Sequence, residues 1–466
     1  MTRTLGAMAS RPVHKRVHLV GIGGAGLSAI ARVLLERGVS VSGSDLVITP
    51  VAEALARDGA EVFRGHHANN VDGADLLVFS SAVPEENVEI QTARGAGIPV
   101  LGRPAFLRRL MEGRQGIAVA GTHGKTTTTA MIAYILLHAE RDPTFIVGGV
   151  IAGLETNARA GSGSLFVIEA DEYDCTFLSL RPEVAVITNV EHDHPDCYPT
   201  FADFRAAFEA FAELVPTGGL LASCWDDPVA REIGASQADR KPVIFFGLES
   251  GARWRAEEIQ ANFAGGVDFL AVQDGETRGL IRLRVPGAHN ALNALAALAI
   301  VEFLDVPFRV AREALTAFRG VARRFEVKGE ADGIVVVDDY AHHPTEIQAT
   351  LLAARERFPT SRIWAVWQPH TYSRTKELLG GFLAAFSKAE HVIVLPIYPA
   401  RETDTLGISA RQVVDAMDHV DARAAESMDE AVTWLGTEVQ PGDVVLTLSA
   451  GDGNRVGEWL LEVLGV

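Results

Sequence analysis

The chain has 466 residues, enough for about three domains. Its formal net charge of −18 argues against a nucleic-acid partner or a basic membrane-binding surface. Three cysteines (Cys175, Cys197, Cys224) in so long a chain form no disulfide framework and predict a reducing, cytoplasmic setting. No apolar run reaches membrane-span length. The 48% hydrophobic content is ample for large cores, and 44 glycines suit an α/β protein with many tight strand–helix turns.

Residues 1–16 are mildly basic without the apolar centre of a signal peptide, and about the first dozen predict a disordered leader. Short apolar runs then alternate with amphipathic stretches, which reads as βαβ units with largely parallel sheets. Six of these runs, at 17–20, 117–120, 165–168, 184–188, 334–337 and 363–367, are each followed at once by unusual polar or glycine-rich residues. In open α/β sheets ligands bind at the carboxyl ends of strands, so these six positions are candidate sites.

The first run leads into Gly21-Ile22-Gly23-Gly24-Ala25-Gly26 and a helix-like stretch at 27–37, with Asp45 standing 19 residues after the last glycine. That spacing is a dinucleotide fingerprint with its ribose-binding acid, and alone it points to NAD or FAD. With a second phosphate loop downstream it points more simply to a bound diphosphate; a bare packing turn is the plain alternative. A polar link at 112–116 predicts a domain boundary at 113/114, just before that second loop.

The second run opens Gly121-Thr122-His123-Gly124-Lys125-Thr126-Thr127 and a helix-compatible segment. Glycines let backbone N–H groups face phosphates, Lys125 can reach the terminal phosphates, and Thr126 can offer its hydroxyl to Mg²⁺. The standard phosphate loop has a glycine where this chain has Val119, so the loop is a shortened, histidine-bearing version. Glu169 ends the third run, in the position of a carboxylate that holds Mg²⁺ directly or through water, and Asp171, Glu172 and Asp174 follow. The segment 189–196 holds His192, Asp193, His194 and Asp196; a histidine beside a Mg²⁺–phosphate site fits it better than zinc, and loop histidines on the surface are the alternative. Lysine is absent between Lys125 and Lys241, so Lys125 is the only lysine in that span for chemistry.

Before an alanine-rich helical stretch, Asn290 either caps the helix or presents its amide to a purine. A second boundary falls at 322/323, beside Arg323-Arg324, a phosphate or ribose clamp or a solvated pair. The last block carries Asp338-Asp339-Tyr340-Ala341-His342-His343-Pro344 and Gln368-Pro369-His370-Thr371-Tyr372-Ser373-Arg374. Arg374 offers paired donors to a carboxylate, and Tyr340, His342 and His370 can position or deprotonate an amine. An NAD-dependent oxidoreductase would leave 121–127 idle, and a mechanical ATPase would leave the last block's histidines idle.

Together these segments resemble the Mur ligases of peptidoglycan synthesis over essentially the whole chain, and the last two segments resemble the alanine-adding branch. A murein-tripeptide recycling ligase shares the first of those two. The resemblance implies three domains: a Rossmann-like domain at 1–113 for UDP-N-acetylmuramate, a central phosphate-loop domain at 114–322 for ATP, and a Rossmann-like domain at 323–466 for L-alanine. It implies ATP-driven amide formation through an acyl phosphate, with two Mg²⁺ ions, in a monomer or weak homodimer. It assigns the UDP-sugar to Gly21, Gly23, Gly24, Ala25, Gly26, Asp45, Ser80 and Ser81. ATP falls to 121–127 (Gly121, Thr122, His123, Gly124, Lys125, Thr126, Thr127) with Asn290, Asn293, Arg323 and Asp339. Metal falls to Thr126, Glu169 and His194, and the amino acid to Tyr340, His342, His370 and Arg374. Lys125, Glu169, His194, His342 and His370 are the implied catalytic set. Two features bear on the branch. Thr371 stands where many members carry arginine, and the segment after Asp193 lacks the lysine that most sister ligases carbamoylate.

Overall fold

The computed structural model describes residues 15–465. The expected disordered leader lies outside the described residues. All six apolar runs are strands, distributed over three sheets.

The first sheet has five parallel strands in the order Glu61–Arg64, Ser40–Asp45, Arg16–Val20, Leu76–Phe79, Val100–Gly102. Chain order reverses direction across Arg16–Val20, so the glycine turn after Val20 sits at the switch point of the sheet. The expected helix there spans Ala25–Glu36 and buries Leu27, Ile30, Val33 and Leu34 on its sheet-facing side.

The second sheet has ten strands, and the phosphate-loop strand Gln115–Ala120 lies inside it between Val184–Ile187 and Leu165–Glu169. All three are parallel; Ala120 stands opposite Ile187, and Val119 opposite Glu169. Parallel register therefore brings three carboxyl ends to one edge, which is why residues far apart in sequence meet there. This sheet is largely parallel, as the alternation of elements suggested, with antiparallel pairs only at its two ends. Trp254–Ala261, Val267–Gln273 and Glu276–Arg282 form an antiparallel meander at one end, and Thr144–Ile151 pairs antiparallel with Thr156–Arg159 at the other. Helix Lys125–His138 packs on the alanine-rich helix Ala288–Phe303, most of whose residues are buried. Small alanine side chains let the two helices approach closely.

The third sheet runs Glu326–Ala331, Ile334–Asp339, Val444–Ser449, Ile363–Gln368, His391–Val394, Ala422–Ala424, antiparallel only at its first pair. Apolar clusters cover both its faces. The first two sheets instead share one continuous apolar cluster, into which Phe106, Leu107, Leu110 and Met111 of helix Arg103–Met111 insert.

Candidate active site

The turn after Ala120 needs its glycines. Gly121 has φ 141, and a Cβ there would lie 1.9 Å from Thr188 Oγ1; Gly124 has φ 78, and a Cβ there would lie 2.5 Å from Asn293 Oδ1. The loop is pinned to the neighbouring strand end. His123 N donates to Asn189 Oδ1 at 2.8 Å, and Thr122 Oγ1 donates to Glu191 O at 2.8 Å. Helix Lys125–His138 starts directly after Gly124, so its free first-turn N–H groups face the loop. Lys125 Nζ donates to Gly121 O at 2.5 Å, Thr122 O at 3.0 Å and Glu172 Oε1 at 2.8 Å. Burial alone would lower the Lys125 ammonium, but Glu172, Glu169 and Asp171 hold it above its usual value. The lysine stays charged.

Two acids stand beside it. Glu169 Oε1 accepts from Thr126 Oγ1 at 2.9 Å, and Glu169 Oε2 accepts from Gly148 N at 2.6 Å. Burial raises the Glu169 carboxyl. Glu172 is fully buried; burial would raise it too, but Lys125 and His194 hold it below its usual value. Its Oε2 has no hydrogen-bond partner among the described residues. His194, held at φ 56, lies 3.6 Å from Glu172 Oε1. His194 thus meets Lys125 through Glu172, the acid they share, and lies equally close, at 3.6 Å, to Asp193 Oδ2. Glu172 was read from the sequence only as a follower of Glu169; its burial and spare oxygen distinguish it in three dimensions.

The third domain closes over this edge. Arg374 Nε donates to Asp193 Oδ1 at 2.9 Å, and its other nitrogens approach His370 Nδ1 at 3.1 Å and His194 Nδ1 at 3.5 Å. Tyr340, His342 and His370 form a chain of rings at 5.4 and 6.0 Å. The four residues assigned to the amino acid therefore stand together. Burial pushes His342 down to about 3, and burial with the nearby Arg374 pushes His370 down to about 4. Both imidazoles are neutral at pH 7, so they suit orienting an amine through a lone pair better than retaining its proton. Arg374 is already engaged by Asp193, a cross-domain partner that the motif pattern did not suggest. Thr371 caps the short helix Tyr372–Glu377, accepting from Arg374 N at 3.4 Å.

His123 joins the loop to the third domain. Its Nε2 lies 3.0 Å from Glu191 Oε2 and its Nδ1 3.2 Å from Glu346 Oε1. Burial would lower this imidazole, but the two carboxylates raise it to about 9.

Between these domains lies a cavity of about 190 Å³. The loop residues His123, Gly124, Thr126 and Thr127 line it, with Asn290, Asn293, Arg324, Asp339 and Glu346. Asn290 Nδ2 donates to Pro286 O at 2.7 Å, and Asn293 Nδ2 donates to Asn290 Oδ1 at 3.1 Å, so both amides are held in place. Asp339 accepts from Phe325 N and Ala341 N at 2.7 and 2.8 Å, and burial raises its carboxyl to about 6. Arg323 does not line the cavity. Its guanidinium donates to Ser449 O at 2.6 Å and Asp338 Oδ2 at 3.2 Å, and the neighbouring Arg324 lines the cavity. Both guanidiniums stand 5.1 Å from the Tyr340 ring, and Arg323 has a left-handed backbone, φ 60.

On the first sheet, Gly21 has φ 91 and a Cβ there would lie 3.3 Å from Ser80 Cβ. Gly23 N donates to Asp45 Oδ2 at 2.9 Å. Gly21, Gly23, Asp45 and Ser80 thus gather at one strand edge, with Gly24 and Ala25 exposed beside them. Ser81 is exposed and lies just beyond that edge.

Two phosphate-type turns on separate sheets, with a guanidinium–imidazole cluster facing one of them, define an ATP-using ligase rather than a dehydrogenase. The family models agree: the Mur ligase family catalytic domain matches residues 16–115, the Mur ligase middle domain 119–301, and the Mur ligase glutamate ligase domain 323–451. A UDP-N-acetylmuramate–L-alanine ligase of Geobacter sp. (strain M21) is 44% identical, covering 96% of this chain and 97% of that one. The crystal structure of the UDP-N-acetylmuramate-alanine ligase of Thermotoga maritima is similar at TM-score 0.82 and 30% identity, over 96% of this chain and 98% of that one. A murein peptide ligase of Psychrobacter arcticus reaches TM-score 0.72 at 27% identity, over 97% and 99% of the two chains. The chain belongs to the Mur ligase family.

Proposed function

We propose that this protein joins L-alanine to the lactyl carboxylate of UDP-N-acetylmuramate, using ATP, in peptidoglycan precursor synthesis. The observation that carries the reading is the Asp193–Arg374 contact, which sets the amino-acid cluster directly against Lys125, Glu172 and His194. The division 1–113, 114–322 and 323–466 assigns the UDP-sugar, ATP and L-alanine to one domain each, in the cytoplasm.

A carboxylate is a poor electrophile, because its charge repels nucleophiles and oxide is a poor leaving group. One lactyl oxygen takes the γ-phosphoryl group and ADP departs, giving an acyl phosphate. The alanine amine then adds to the carbonyl carbon; the tetrahedral adduct loses phosphate and a proton to leave the amide. Lys125 stays cationic against the β/γ-phosphates. Mg²⁺, when bound, neutralises the phosphate charge and draws the two anionic substrates together. The hydroxyl of Thr126, the carboxylate of Glu169, the unpartnered Oε2 of Glu172 and the imidazole of His194 are oxygen and nitrogen donors suited to one or two such ions. Asn290, Asn293, Arg324 and Asp339 would border the nucleotide. With threonine at 371 committed to capping a helix, the alanine carboxylate falls to Arg374, while Tyr340, His342 and His370 orient the amine. Closure over the cavity keeps water from the acyl phosphate.

The test is phosphate release from ATP. It should require both UDP-N-acetylmuramate and L-alanine. Release that needs UDP-N-acetylmuramate and a free tripeptide in place of L-alanine, or that needs neither substrate, would refute the reading.

A further inference from the structure

Gly26, the last glycine of the first turn, is a glycine for a specific reason. A Cβ there would lie 2.2 Å from Arg103 Nη1 and 3.0 Å from Arg103 Cδ. In a dinucleotide turn that glycine serves helix–strand packing; here a guanidinium fills the space. Arg103 opens the helix Arg103–Met111, directly after the edge strand Val100–Gly102 of the same sheet. Its position over the first turn of Ala25–Glu36 is where an anion would meet free N–H groups: Gly24 provides no side-chain cap, and the first turn contains no acid.

Two further features concern the guanidinium itself. Arg103 Nε is buried and has no hydrogen-bond partner among the described residues. Arg103 Nη2 donates across the domain boundary to Asp171 Oδ2 at 3.1 Å, two residues beyond Glu169. That pair is partly open to solvent, with side-chain exposures of 21% and 42%. A pair this exposed contributes little, so a doubly charged ligand can displace Asp171 from it.

We propose that Arg103 grips the diphosphate of the UDP-sugar and that Asp171 holds the guanidinium in place until that ligand arrives. The proposal rests on the UDP-sugar reading above. It links occupancy of the first domain to the segment carrying Glu169 and Glu172, because the ligand releases Asp171 from its cross-domain partner.

Calorimetric titration of the full chain with UDP-N-acetylmuramate, UDP and uridine tests it. Arg103→Ala should weaken the first two by about 30-fold and leave uridine unchanged, since a hydrogen bond to a charged group is lost. Arg103→Lys should recover part of the loss, because an ammonium lacks the paired donors. Asp171→Asn should leave UDP affinity equal or tighter. All three should keep the far-ultraviolet circular dichroism and the single cooperative melt of wild type, which controls for folding. Wild-type UDP affinity in Arg103→Ala, or equal losses in Arg103→Ala and Asp171→Asn, would reduce the contact to a fixed strap and overturn the proposal. A wild-type chain that binds ATP but neither UDP-N-acetylmuramate nor UDP would overturn the function reading instead.

Discussion

Cutting the buried pair Asp193–Arg374 tests how the amino-acid pocket is assembled. Both Nε and Nη2 of Arg374 lie 2.9 Å from Asp193 Oδ1, with only 7% and 5% of the two side chains exposed. Burial would raise the Asp193 carboxyl, yet Arg374, His194, His342 and His343 hold it far below the usual carboxylate range. At an effective dielectric of about 20, charges at this separation attract by about 6 kcal/mol, most of it offset by desolvation. Removing one partner leaves a lone buried charge, at about 3–5 kcal/mol. Asp193→Asn and Arg374→Ala should therefore each lower kcat/KM for L-alanine by about two to three orders of magnitude. The double variant should be little worse than Arg374→Ala, a coupling of about 3 kcal/mol in a double-mutant cycle. Acyl-phosphate formation from ATP and UDP-N-acetylmuramate needs no amine, so hydroxylamine should still trap it in Arg374→Ala. Additive losses, with coupling below about 0.5 kcal/mol, would refute the pair as a unit. Loss of the trapped product with normal alanine dependence would move Arg374 to another substrate.

Lys125→Ala should abolish turnover while UDP-N-acetylmuramate affinity, measured by calorimetry, stays near wild type; a parallel fall in both would join sites that lie on separate sheets. His194→Ala should raise the Mg²⁺ concentration needed for half-maximal rate more than it weakens ATP binding, and an unchanged Mg²⁺ dependence would make His194 a structural residue only. The His123 contacts with Glu191 and Glu346 carry a pH signature. Because this imidazole rises from 6.5 to about 9 in the folded chain, its contribution is complete below 6.5 and lost as pH climbs through about 9. The thermal midpoint of wild type should fall over that window relative to His123→Gln; a constant difference between the two would refute the coupling.

The sequence by itself determined the strand-end chemistry. Residues 121–127 follow a short apolar run, and Glu169 ends another; parallel pairing then leaves both at one edge, so local order was enough to group Lys125, Thr126 and Glu169. The pairing of His370 with Arg374 was equally legible, four residues apart on one segment. What tertiary structure decided involves partners remote in sequence or choices between adjacent equals. Arg323 and Arg324 carry the same side chain; the carbonyl of Ser449, 126 positions away, engages Arg323, and Arg324 lines the cavity. Glu172 is sealed against Lys125, while the neighbouring acid Asp171 faces Arg103. Asp193 and Arg374 are separated by 181 positions, and no local pattern marks one as the other's counter-charge. Such pairs form only when the third sheet packs over the second, because burial, not spacing, makes an isolated charge costly enough to require its partner.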